Sequence, residues 1–168
     1  GVGSSSDGRA KSVYAPRAEG QALALRRAYA AAGYGPETVE LVEAHGTGTT
    51  AGDLAEFEAL RTVFDETGRA DRQWCSLGSV KSQIGHTKGA AGAAGLFKIV
   101  MALHEKVLPP TIKVTRLNQA LAIEHEFLGL GLLTRHLLVA DGLGVFRREA
   151  DVDDREAGDL NVVGHPLL

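Results

Sequence analysis

Residues 45–52 read His-Gly-Thr-Gly-Thr-Thr-Ala-Gly. Three glycines and four other small residues in eight positions support neither a stable helix nor a stable strand. The chain must turn there, with its backbone free to bend tightly and to approach a ligand closely. A second segment of this kind, Lys-Ser-Gln-Ile-Gly-His-Thr-Lys-Gly, occupies residues 81–89. Each follows a short apolar run, 39–44 and 74–80, with the length of a buried strand. Whatever this chain folds into has to carry two polar, glycine-rich loops at the ends of two short strands.

The segments between them read as helices. Residues 19–32 are rich in Ala, Leu, Gln and Arg, with Pro16 suited to a helix opening and Gly33 and Gly35 to its end. A second helix is predicted from about Asp53 to Phe64, where Leu54, Phe57, Leu60 and Phe64 recur at three- or four-residue intervals and Asp53 serves as a cap or first-turn charge. A third runs from about 90 to 105. It opens on small residues that let a helix lie close to another backbone. Its later Leu96, Phe97, Ile99, Val100, Met101 and Leu103 predict burial on most sides. Helix, strand, helix, strand, helix is the order of an α/β layered fold, with sites in the loops at the strand ends.

Composition narrows the function. The 168 residues, 44% apolar, suffice for one ordinary core. With 18 basic and 21 acidic residues and a net charge of −3, there is no basic stripe for nucleic acid. A single cysteine, Cys75, excludes a disulfide framework and a thiolate-rich zinc site, and points to a reducing, cytoplasmic setting. No apolar run reaches the roughly 18 residues of a membrane span. The start lacks both a methionine and the apolar core of a signal peptide, which predicts a segment cut or excised from a longer polypeptide.

The candidate chemistry lies in the two loops. His45 and His86 belong to one each, Lys81 stands five residues before His86, and Glu56 eleven after His45. Two neutral imidazoles that donate to one carbonyl oxygen stabilise an enolate in a dry pocket. A nearby lysine keeps both rings neutral, and a glutamate can hold that lysine. Other readings stay open on these residues alone. His45 can serve only as a turn residue, and His45, His86 and Asp53 can be drawn as a metal site, although the spacing matches no metal motif. Neither loop has the phosphate-binding pattern of glycine, four residues and Gly-Lys-Ser/Thr. Cys75 reads as a strand core residue with nothing beside it to activate the thiol.

Two longer stretches are more specific. Val42-Glu-Ala-His-Gly-Thr-Gly-Thr49 and Leu77-Gly-Ser-Val-Lys-Ser-Gln-Ile-Gly-His86, followed by Gly89-Ala-Ala-Gly-Ala-Ala-Gly95 and Val107-Leu-Pro-Pro-Thr-Ile112, resemble the signatures of β-ketoacyl synthase domains of polyketide and fatty-acid synthases. The opening Gly3–Arg9 and Tyr14–Gln21 look most like the iterative synthases of polyunsaturated fatty acids or enediynes. The resemblance covers residues 1–124 and implies a thiolase-like layered α/β fold, here mostly its C-terminal half, with helices covering a mixed sheet. It implies a decarboxylative Claisen condensation in a homodimeric parent enzyme. An acyl thioester on a cysteine is attacked by a unit derived from malonyl on the phosphopantetheine arm of an acyl carrier protein. His45 and His86 would be the paired catalytic histidines, Lys81 the lysine beside them and Glu56 its carboxylate partner. No directly bound cofactor or metal is implied.

The chain also departs from that pattern. The family's Cys-Ser-Ser-like elbow is missing, and Cys75 stands in the wrong place to replace it. Arg116-Leu-Asn-Gln119 stands where the family has an Arg/Lys-Pro-Asn-Pro turn. Residues 125–168 lack the Tyr-Leu-Asn strand and the Gly-Phe-Gly-Gly-Thr-Asn loop, and read as a divergent or truncated tail. The expectation is a half-site without its nucleophile. The alternatives are a noncatalytic ketosynthase-like remnant or interaction module, and an unrelated α/β metal-binding domain.

Overall fold

In the computed structural model, the structure describes residues 1–8, 15–114 and 118–123, together with the backbone of three strands at 128–130, 138–140 and 146–148. Arg9, Tyr14, Arg116 and most of 125–168, on which several expectations fall, lie outside the described residues.

Helix α1 spans Ala18–Ala32 and stops at Gly33, whose φ of 77° turns the chain left-handed and returns its N–H to the Tyr29 carbonyl. Strand β1 (Leu41–Glu43) leads through the first glycine-rich loop into helix α2 (Thr50–Asp65), which returns the chain to β2 (Cys75–Gly78). The segment 81–89, expected to be a turn throughout, contains a one-turn helix α3 (Lys81–Ile84). Gly85, at φ 79°, then breaks it before a 3-10 turn at Lys88–Ala90. Helix α4 covers Ala91–Glu105. Strands β3 (Leu128–Leu130), β4 (Leu138–Ala140) and β5 (Phe146–Arg148) follow.

β1, β2 and β3 form a parallel sheet in that order, and β4 and β5 make a separate antiparallel pair. The register pairs Leu41 with Ser76, Val42 with Leu77 and Glu43 with Gly78. Because adjacent parallel strands end on the same edge, the loop after β1 and the loop after β2 open side by side. One further bond, from the Ala44 N–H to the Gly78 carbonyl at 2.7 Å, extends the pairing to the loop mouths.

The main core lies under α1 and α2. Ala22 of α1 packs with Phe57, Ala59, Leu60, Val63 and Phe64 of α2, with Cys75 of β2 and with Ile123. Phe64 meets Tyr29 edge-on at 6.2 Å and Trp74 at 5.7 Å, which ties the helix pair to the start of β2. The predicted apolar stripe of α2 is the buried one, except that Leu54 near its start is exposed.

Helix α4 departs from expectation. Its composition predicts burial on most sides, yet only Ala91, Gly95, Lys98 and Ala102 are buried. These four, spaced at four, three and four residues, form one narrow stripe. Leu96 and Phe97 are 66% and 67% exposed, and Val100, Met101 and Leu103 are also exposed. Small residues let the helix approach the sheet end on the stripe, and the bulky apolar residues point the other way.

Candidate functional site

His45 and His86 come together. Their ring centroids are 5.5 Å apart and the planes cross at 87°. The two residues stand at the mouths of the two loops, His86 exposed and His45 half-buried. An open cleft of about 760 Å³ lies beside them, lined by Ala44, Gly46, Asp53, Glu56, Lys81 and His86 among others. The pair therefore faces space rather than apolar packing.

Each loop is held by specific bonds. Glu56, one and a half turns into α2, accepts the backbone N–H of His45 at 2.6 Å and that of Gly46 at 2.9 Å. Asp53 accepts the N–H of Gly48 at 3.1 Å. It is a first-turn residue, because the N-cap is Thr49, which makes no side-chain capping bond. Two carboxylates of one helix thus fix the first loop from below. Gly46 adopts φ 47°, and a Cβ there would lie 2.7 Å from that of Ser79, so only glycine lets the two loops meet this closely. Ser79 Oγ lies 3.5 Å from the His45 carbonyl oxygen, as its donor.

The second loop sets the tautomer of His86. The backbone N–H of Lys88 donates to His86 Nδ1 at 3.1 Å, made possible by a left-handed φ of 54° at Lys88. Nδ1 is thereby the acceptor, and the neutral ring carries its proton on Nε2. The His86 imidazole is held below its ordinary pKa, first by desolvation and then by the positive charges of Lys88, Lys81 and His45. The neutral ring is the favoured form.

The expected ion pair between Glu56 and Lys81 is not formed: among the described residues no salt bridge within 4.0 Å joins them. The backbone amides of His45 and Gly46 take both carboxylate oxygens instead. Lys81 is half-buried and lines the cleft. Among the described residues, no three His, Cys, Asp or Glu side chains gather as ligands for an ion, so His45, His86 and Asp53 do not form the metal set drawn from the sequence. Cys75 is fully buried, and burial, reinforced by the negative charge of Glu40, pushes its thiol up to about 12. It offers no thiolate at neutral pH.

One buried group has no counterpart in the sequence expectations. Lys98 pairs with Glu43 at 2.9 Å beneath the loops. The signal for it is a lone cation in an apolar helix, which needs a partner when buried.

Parallel strands, crossover helix and paired loop histidines define the thiolase-like ketosynthase class. The fold superimposes on the ketosynthase from module 6 of the bacillaene synthase of Bacillus subtilis 168, with a TM-score of 0.75 and 37% identity over 92% of this chain and 26% of that one. It also superimposes on the ishigamide ketosynthase/chain length factor, with a TM-score of 0.64 and 31% identity over 77% of this chain and 30% of that one. Residues 1–115 match the family "Beta-ketoacyl synthase, C-terminal domain", and the chain belongs to that family. It is 52% identical over 115 residues to a polyunsaturated fatty acid synthase of a Thraustochytrium species, 68% of this chain and 4% of that protein. It is 42% identical over 143 residues to polyketide synthase PksL of Bacillus subtilis, 84% of this chain and 3% of that protein. The chain therefore spans only a few per cent of these relatives and about a quarter of the bacillaene ketosynthase. No described helix is long and apolar enough to cross a membrane.

Proposed function

We propose that this chain supplies the decarboxylating half-site of a β-ketoacyl synthase, and that the nucleophilic cysteine comes from outside residues 1–168. Residues 1–124 are its ketosynthase part and 125–168 a divergent tail. The observation that carries this reading is the 5.5 Å approach of His45 and His86 beside an open cleft, with His86 Nδ1 occupied by a backbone donor. One oxygen can then lie within about 3 Å of a nitrogen of each ring.

The substrate is a malonyl thioester on the phosphopantetheine arm of an acyl carrier protein. Nε2–H of each histidine donates to its carbonyl oxygen. As the bond to the carboxylate breaks, CO2 leaves and the electron pair passes into the enolate, whose oxygen the two donors stabilise. The α-carbon then attacks an acyl thioester carbonyl on the cysteine, the carbon–carbon bond forms, and the cysteine thiolate departs. Lys81 raises the positive potential that keeps the rings neutral. Glu56 acts on His45 through the backbone, not through Lys81. The partners are the carrier protein and the remainder of a synthase, which is a homodimer in its complete form, at work in the cytoplasm.

The test is made in the complete condensing enzyme that carries this segment. His45→Ala and His86→Ala are each assayed for acyl loading of the cysteine and for release of CO2 from malonyl carrier protein. Decarboxylation is expected to fall by about 10²–10³, the effect of removing one oxyanion donor, with acyl loading less affected. Equal losses in both steps would overturn the assignment.

A further inference from the structure

Glu43 is the last residue of β1, and Lys98 lies on the buried stripe of α4. Glu43 Oε2 and Lys98 Nζ meet at 2.9 Å, with the side chains only 13% and 7% exposed. The other oxygen, Oε1, accepts the backbone N–H of Val80, the residue before Lys81. Both glycines beside the pair make room for it. A Cβ on Gly95 would lie 3.1 Å from Glu43 Cγ, and one on Gly78 would lie 3.1 Å from Lys98 Nζ.

Stability alone does not account for this arrangement. A buried ion pair loses about as much by desolvation as it gains by attraction, and apolar residues of similar volume commonly do as well or better. An apolar pair lacks the acceptor for Val80. That bond starts the turn carrying Lys81, five residues before His86, while Glu43 itself stands two residues before His45. One carboxylate therefore sits at the root of both histidine loops, and Lys98 holds it from α4.

We propose that Glu43 and Lys98 are positioning residues, which set the separation of His45 and His86 and the placement of Lys81 by fixing the Val80 amide. The proposal rests on the half-site reading above. Neither side chain touches the reacting atoms; both act through the loops.

Four variants of the complete condensing enzyme test it. Glu43→Gln/Lys98→Met removes both buried charges and keeps an oxygen acceptor for Val80. Glu43→Leu/Lys98→Met removes the charges and the acceptor. Val80→Pro, at a φ of −58° that suits proline, deletes the same hydrogen bond and leaves the ion pair intact. His45→Ala reports on the half-site itself. The Gln/Met pair is expected to keep most of the decarboxylation kcat. The Leu/Met pair and Val80→Pro are expected to lose about tenfold to a hundredfold in that kcat, as misplacement of a catalytic group does, with KM for malonyl carrier protein and acyl loading nearly unchanged. Should the Leu/Met pair fail to fold, Val80→Pro alone decides. Gln/Met and Leu/Met pairs of equal activity, a fully active Val80→Pro, or parallel losses of loading and decarboxylation would overturn the positioning role. An unimpaired His45→Ala would instead overturn the half-site reading.

Discussion

The backbone amide of Lys88 is hydrogen-bonded to Nδ1 of His86, at 3.1 Å, while the Lys88 side chain is one of the positive charges that disfavour protonation of the same ring. One residue thus fixes both the tautomer and the charge state of His86. NMR titration should place the His86 midpoint below the ordinary 6.5. Lys88→Gln keeps the amide and removes the charge, and should move the midpoint upward. The sign for stability follows. A histidine with a lowered folded pKa takes up its proton more readily when unfolded, so the fold gains stability as pH rises between the folded value and 6.5, and loses it as pH falls through that window. A midpoint at or above 6.5, unmoved by Lys88→Gln, would contradict this.

Glu56→Ala should loosen the first loop. Both carboxylate oxygens accept backbone N–H groups, of His45 and Gly46, and bonds to a charged acceptor contribute about 1.5–3 kcal/mol. A loss of roughly 2–3 kcal/mol in denaturant unfolding is expected, with a smaller loss for Glu56→Gln, which keeps one acceptor. Because Glu56 makes no ion pair with Lys81, Lys81→Met should leave that energy unchanged.

Gly46→Ala should separate the two loops. Its Cβ would meet Ser79 at 2.7 Å, on a backbone at φ 47°. Strain and overpacking together are expected to cost about 1–3 kcal/mol. The histidine rings should move apart, seen as weaker cross-ring NOEs. Gly89→Ala, where a Cβ meets nothing within 4 Å, is the matched control and should be near neutral.

Much of this is legible in the sequence. Glycine runs mark backbone turns wherever they fall, so the loops at 45–52 and 81–89 set the strand ends, and the βαβ order of 41–78 puts both loops on one edge. Proximity of His45 and His86 follows from that topology. Bonds made by backbone amides are not legible. Attraction of opposite charges pairs Glu56 with Lys81 on paper, but the amides of His45 and Gly46 lie nearer and need an acceptor. The burial of α4 eludes the sequence for a related reason. Hydrophobicity says that a face seeks cover but not what covers it, and the stripe that meets the sheet end is the small one, Ala91, Gly95 and Ala102, with Lys98 reaching Glu43.

The exposed face of α4 gives a prediction of its own. Leu96, Phe97, Val100 and Leu103 are each at least 45% exposed. A patch of this kind in water drives association. The isolated 168-residue chain should self-associate in sedimentation and bind a hydrophobic dye, and Leu96→Glu with Phe97→Glu should reduce both. A monodisperse, dye-free monomer would count against it.

The most direct test of the half-site account is a condensation assay on this chain alone. It is incubated with an acyl thioester and malonyl carrier protein, and the β-ketoacyl product is sought by mass spectrometry. Cys75, buried and with its thiol pushed up to about 12, cannot take the acyl group, so no product is predicted. Product formed at a rate that survives Cys75→Ala would show that these residues complete a condensing site by themselves, and would contradict the account.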